Sequence, residues 1–317
     1  MMRSYKSAVV ALLLLAGAPG CGPSAYARAA SSYAKATGEG AAALASAPSA
    51  AAAVCRQRAR SAYLQTRMGL LAAPPQPIAW STWYTTAQAT EKRTWAQHCG
   101  DVAATGKMLA VATNALRLYG AALGALAAGE AYDGADITAA VEAAKPLAEA
   151  LESPGAAAAQ PVGNLLGKFA AFLVKDITED KLQDYIQAAD PLLGPLVDAI
   201  ERYVAAVEDE VALAENTERQ TLMALEARSG LSGQEADPTR LLAFYGYAVS
   251  AEEELARRRE RLSGFRAVLR QLRAAHAALA QAGSAEDEIE IKKAMASVTE
   301  LANQVQALGA ALGGSGG

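Results

Sequence analysis

The chain is 317 residues long and carries a formal charge of -4, with 29 Lys and Arg against 33 Asp and Glu. That balance excludes a globally basic nucleic-acid binder, and it supplies no field that would draw the chain onto anionic lipid. Apolar residues make up 52% of the chain but aromatics only 6%, because alanine dominates, and such a composition predicts an all-α fold.

Arg3 and Lys6 form a short positive segment, and Ala8 to Ala16 an unbroken apolar run. This is a secretory pattern, too short to cross a bilayer, which needs about 20 apolar residues. The small-residue segment "GAPGCG" follows, with Gly20 directly before Cys21. Here the sequence resembles the signal of bacterial lipoproteins, in which the cysteine is lipidated and becomes the new N-terminus. The resemblance implies export, a palmitate-type anchor on Cys21 and attachment to the cell envelope. With Gly22 rather than aspartate after the cysteine, it further implies the outer membrane, facing the periplasm, in a Gram-negative cell. Cleavage after Ala27, using the small pair Ala25 and Ala27, is the competing processing route.

Residues 22 to 47 are small and polar and read as a lipid-attached flexible tether. Ser49 is placed as an N-cap for a helix from about 50 to 72, which the prolines at 74, 75 and 77 bring to a stop. A second helix is predicted from Ser81 to about Gly129, carrying Trp83 and Trp95. Shorter helices are expected at 136–152, 162–175 and 177–189, with Pro191 and Pro195 punctuating the approach to the next one.

The C-terminal third has the clearest period. Ile200, Val204, Val207, Val211 and Ala214 step by four and three residues, as do Leu262, Phe265, Leu269, Leu272, His276 and Leu279. These are seams of coiled-coil-like helices. Asp237 and Pro238 open the second of them, Ser284 with Asp287 opens a last helix, and a flexible tail covers 313–317. The predicted plan is a signal peptide at 1–20, the tether at 21–47 and an elongated antiparallel helical bundle at 48–312.

Three features carry candidate chemistry. On an antiparallel hairpin turning at "APPQP", Cys55 lies 17 residues before Ala72 and Cys99 lies 18 after Ser81. The two should sit level, about 26 Å from the turn, and pair as a disulfide. A zinc site on Cys55, His98 and Cys99 is the alternative, but the second histidine, His276, lies far off on a packing seam, so no metal is expected. His276 itself reads as a satisfied core residue, and no cofactor motif or catalytic triad is legible.

The charge-dense "EEELARRRERL" places Arg257, Arg258, Arg261, Arg266, Arg270 and Arg273 on one helix as a candidate partner-binding face. An intramolecular partner is also at hand, in the acidic helix that carries Asp198, Glu201, Glu208, Asp209, Glu210 and Glu215. Finally, Met108 to Gly129 has Arg117 as its only charge, and Met108, Leu109, Leu116, Tyr119, Leu123 and Leu126 make it a candidate membrane segment. Arg117 would cost about 2.5 to 3.5 kcal/mol at a bilayer centre, which favours a buried core helix instead. The run "YGAALGALA" within it looks like patterns of helical bacterial lipoproteins and implies no activity.

The expected function is a non-enzymatic envelope lipoprotein acting as scaffold or protein-binding module. Its partners would be the lipid membrane, through acylated Cys21, and an unidentified envelope protein, with homo-oligomers open and nucleic acid excluded. The alternative is a membrane-active helical protein that inserts 108–129.

Overall fold

The computed structural model describes residues 24–45, 47–68, 79–90, 92–130, 182–228, 238–285 and 288–313. The expectations placed on Cys21, the prolines at 74–77, the helices at 136–152 and 162–175, Asp237, Asp287 and 314–317 lie outside these residues. Within them the fold is all-α: α1 Ala25–Leu44, α2 Ala47–Arg67, α3 Trp80–Thr86, a two-stranded ribbon of β1 Gln88–Thr90 and β2 Arg93–Thr94, α4 Trp95–Ala127, α5 Leu182–Arg228, α6 Pro238–Ala285 and α7 Glu288–Gly313.

The tether expected at 21–47 is instead helix α1, part of the core. Ser24 caps it by accepting the Ala27 amide at 3.1 Å. Ala29, Ala30, Tyr33, Ala34, Thr37, Ala41 and Leu44 recur with helical period and are buried. The apolar stripe is made almost wholly of alanine, so it reads as low complexity rather than as a hydrophobic face. Close approach is what alanine and glycine allow: a Cβ on Gly120 of α4 would lie 2.8 Å from the Ala34 carbonyl oxygen. Tyr26 at the head of α1 donates to the Leu279 carbonyl at 3.3 Å. Burial raises its hydroxyl to about 12.

α2 continues the path of α1, and Ser49 lies within its first turn rather than capping it. The long helix expected from Ser81 to Gly129 is interrupted. Ala87 is extended at ψ 138°, the ribbon follows, and Lys92 takes a left-handed φ of 66°. α4 then restarts on a capping box, with Thr94 and Gln97 each satisfying the other's backbone amide. The "TWAQ" of that box is a legible start signal inside a segment whose composition reads as continuous helix. At its far end Gly129, at φ 73°, closes α4, and the Glu130 amide bonds back to the Ala125 carbonyl at 2.9 Å.

Pro191 and Pro195 do not separate two helices; α5 runs through both. Each removes a backbone hydrogen bond, at about 3 kcal/mol. Against this, Ile186, Leu193, Leu196 and Ile200 are essentially fully buried, at about 1.5 to 3 kcal/mol apiece, so packing outweighs the prolines. α5 and α6, of 47 and 48 residues, are each about 70 Å long at 1.5 Å per residue. Every residue of the two expected seams, from Ile200 to Ala214 and from Leu262 to Leu279, is buried.

α1 and α2 run antiparallel to α4 and α6, as Tyr26 against Leu279 and Gln57 against Arg258 mark out. One core cluster joins α1, the first half of α2 through Ala51 and Val54, α4, α5, α6 and α7. A second, smaller cluster gathers Cys55, Ala59, Ala62, Trp83, Trp95 and Cys99, with Tyr63, Trp80 and Tyr84 packed on it.

Candidate functional site

The smaller cluster holds the cysteines. Cys55 of α2 and Cys99 of α4 are joined, with their Cα atoms 5.6 Å apart. The level count anticipates the pair, although the hairpin it assumes is not the one present, since α3 and the ribbon stand between α2 and α4. Around the bond, Trp83 and Trp95 stack at 6.2 Å, and Trp80 and Trp83 at 5.9 Å.

Beside this aromatic wall lies a buried charged group. Arg58 Nη1 donates to both carboxylate oxygens of Glu210 at 3.0 Å, and its guanidinium sits 5.4 Å above the Trp95 ring. His98 Nε2 lies 3.4 Å from the same carboxylate. Burial alone would raise the Glu210 carboxyl, but the His98 hydrogen bond and the Arg58 charge outweigh it and hold the group below its ordinary value. A donor atom from each of Cys55, His98 and Glu210 falls within 4.8 Å of the others.

The polar contacts continue along α2. Ser61 and Tyr247 both donate to the buried Glu218, Tyr247 at 2.6 Å. Gln65 Nε2 donates to the Thr217 carbonyl at 3.0 Å and to Thr221 Oγ1 at 3.1 Å. This half of the bundle is therefore held by a ladder of hydrogen-bonded polar groups as well as by apolar contact.

At the other end, His276 is wholly buried on its seam and fully bonded. Asp190 can only accept, so His276 Nδ1–H donates to its Oδ1 at 2.9 Å, and Nε2 receives the Tyr119 hydroxyl at 2.7 Å. Tyr33 and Tyr119 rings pack on the imidazole at 5.7 Å, and Tyr185 stacks on Tyr119 at 5.6 Å. The hydrogen bond from His276 lowers the Asp190 carboxyl, whereas burial raises the Tyr119 hydroxyl well above its usual value. The imidazole and the phenol are both sealed from solvent, so the arrangement positions helices rather than facing a substrate.

On the arginine face Arg257, Arg270 and Arg273 are exposed and Arg258, Arg261 and Arg266 half-buried, and several of them pair within the chain. Arg273 pairs with Asp198, Arg266 with Glu208 at 2.8 Å, and Arg258 donates to Gln57 and Glu254, each at 2.9 Å. Arg257 pairs with Glu253 and Glu254 on its own helix, and Arg270 donates to the Arg266 carbonyl. Arg261 Nε is buried. Charge complementarity between α5 and α6 accounts for Arg266 and Arg273, which pair with the acidic helix.

Leu109, Leu116, Tyr119, Leu123 and Leu126 of the candidate membrane segment are buried; the side chain of Met108 lies outside the described residues. Among the described residues, α4 is the helix long and apolar enough to cross a membrane, and most of its apolar window faces the interior. By contrast, Leu242, Tyr245, Tyr247 and Val249 near the start of α6 are exposed, Leu242 at 76%, with Met223 of α5 at 64%.

Sequence reasoning placed Glu210 on the acidic helix but not beside Arg58 and His98, and it missed Asp190 and Glu218. All three sit on α5 next to seam positions, and their partners come from helices far away along the chain, so no local spacing marks them. The fold and its sites thus define an all-α bundle with a disulfide-linked aromatic module at its side. Comparison with protein-family models, with curated proteins and with solved structures finds no match.

Proposed function

We propose that the chain is a non-enzymatic, exported lipoprotein of the cell envelope, anchored through acylated Cys21, that acts as a scaffold or protein-binding module. The observation that carries this reading is the exposed face of Leu242, Tyr245 and Val249, at i, i+3 and i+7, since isolated exposed apolar residues are ordinary but several large ones on one helical face mark an interaction surface. Tyr245 of this face donates to Glu226, and Glu252 and Glu253 follow on the same helix. That acidic surround disfavours anionic lipid and favours a protein partner.

Processing before Cys21 fits the architecture better than a cut after Ala27. The later cut would remove Ser24, which caps α1, and Tyr26, which ties α1 to α6. Crosslinking the full chain in its native envelope tests the reading. The wild type is expected to capture one reproducible protein partner, and Leu242→Glu with Val249→Glu to lose it while keeping the helical circular dichroism spectrum. Loss of nothing in the double variant overturns the docking face, and an intact mass starting at Arg28 overturns the anchor.

The second reading, membrane insertion of 108–129, draws on the length and apolarity of α4. It requires five buried side chains to leave the core and the Tyr119–His276 bond to break. Leakage of dye from liposomes on adding the soluble chain would favour it over the scaffold.

A further inference from the structure

We propose that the reduced form of the aromatic module is a zinc site, with Cys55, Cys99, His98 and Glu210 as its four ligands. In the oxidised chain the two sulfurs are bonded to each other and neither can bind metal as a thiolate. The other two donors are already beside them, within 4.8 Å of Cys55 Sγ. Zinc takes tetrahedral sets of sulfur, nitrogen and oxygen at about 2.0 to 2.3 Å, which places two thiolates about 3.8 Å apart. Side-chain rotation of the cysteines across a Cα separation of 5.6 Å supplies that distance without moving α2 away from α4.

Glu210 is the ligand that decides between a pair of thiols and a metal centre. Two cysteines and one histidine leave the fourth corner to water, whereas α5 brings in a carboxylate whose exposure is only 9%. Arg58 holds that carboxylate in place and lies over Trp95, so it forms the outer support that metal ligands commonly have. The charges also close: two thiolates, one carboxylate and Zn²⁺ sum to one negative charge, which Arg58 balances. The cluster around the centre, Trp83, Trp95 and Ala59, is buried and apolar, and excludes competing water.

The chemistry takes two steps. A dithiol reductant gives two electrons and two protons to the Cys55–Cys99 bond, which breaks to two thiols while the reductant closes its own disulfide. Zn²⁺ then displaces both thiol protons and binds the thiolates, His98 and Glu210. In the return step a disulfide of another molecule takes two electrons from the thiolates and two protons from solvent and leaves as the dithiol, while Zn²⁺ is released and the Cys55–Cys99 bond re-forms, so the metal and the disulfide are alternative clasps of α2 to α4.

The test uses the full chain, reduced under argon, stripped with chelator and titrated with Zn²⁺ against a chromophoric competitor. One zinc per chain is expected, with release of two protons, and Co²⁺ in its place should show sulfur-to-metal charge-transfer absorption. Glu210→Gln and His98→Asn should each weaken binding tenfold or more, and the oxidised chain, folded by its disulfide, should bind none here. Zinc uptake no greater in the reduced chain than in Cys55→Ser/Cys99→Ser overturns the proposal. So does uptake that Glu210→Gln and His98→Asn leave unchanged, since that is binding by thiols in a loosened chain.

Discussion

His276 holds two other side chains in their places, so its loss should cost more than its own volume. His276→Ala removes the hydrogen bonds that His276 makes with the buried Tyr119 hydroxyl and with Asp190, and opens a cavity among three tyrosines. A loss of about 2 to 4 kcal/mol in urea unfolding is expected. Asp190→Asn isolates the electrostatic part. The folded Asp190 carboxyl is lowered, chiefly by the hydrogen bond from His276. Its stabilising contribution is therefore present above the unfolded value, about 3.9, and is lost as pH falls through the lower folded value. The wild type should melt above Asp190→Asn at pH 7, with the gap closing below about pH 4; a gap independent of pH would assign the effect to packing. At this scale the sequence was half legible. The seam spacing put His276 in the core, but Asp190 stands directly before Pro191, between the expected end of one helix at 189 and the start of the next, so nothing marked it as facing the histidine.

Between elements, small residues set the distances. Gly120→Ala pushes a methyl group into the Ala34 carbonyl of α1 and should cost about 1 to 3 kcal/mol. Gly38→Ala, on α1 with nothing within 4 Å of the added carbon, should instead stabilise by about 0.5 to 1 kcal/mol. Thermal melts of opposite sign for the two variants are the check. Cys55→Ser with Cys99→Ser releases a link between residues 44 apart and should lower stability by about 4 kcal/mol, read as a midpoint shift that reductant reproduces in the wild type. The legibility of elements followed side-chain size. α5 and α6 were readable because Leu, Ile, Val and Phe mark their seams. α1 was hidden because its stripe is alanine, and the break before α4 was hidden because the polar stretch "AQATEKRT" holds no Gly or Pro to mark it.

For the whole molecule, α1 is a central stave. It contacts α4, α6 and α7, and a Cβ on its Gly40 would meet both Val268 and Val305 at 3.2 Å. A chain lacking residues 1–46 exposes the faces of α4, α6 and α7 that α1 covers. It should bind a hydrophobic dye strongly and leave a gel-filtration column as aggregate, where the chain from residue 22 runs as a discrete species. The all-α class and the antiparallel charge pairing of α5 with α6 followed from composition and period alone. The division into a main core and an aromatic side module did not, because the module is assembled from α2, α3, the ribbon and α4, none of which buries it alone.

That division has a spectroscopic consequence. The chain has three tryptophans, and Trp80, Trp83 and Trp95 all lie in the module with the Cys55–Cys99 bond, while the main core is lined by tyrosine. Indole emission should therefore report mainly on the module, with the joined sulfurs beside it expected to quench it. Reduction should brighten it before any helix unfolds, so the light from this protein dates the opening of its clasp separately from the melting of its bundle.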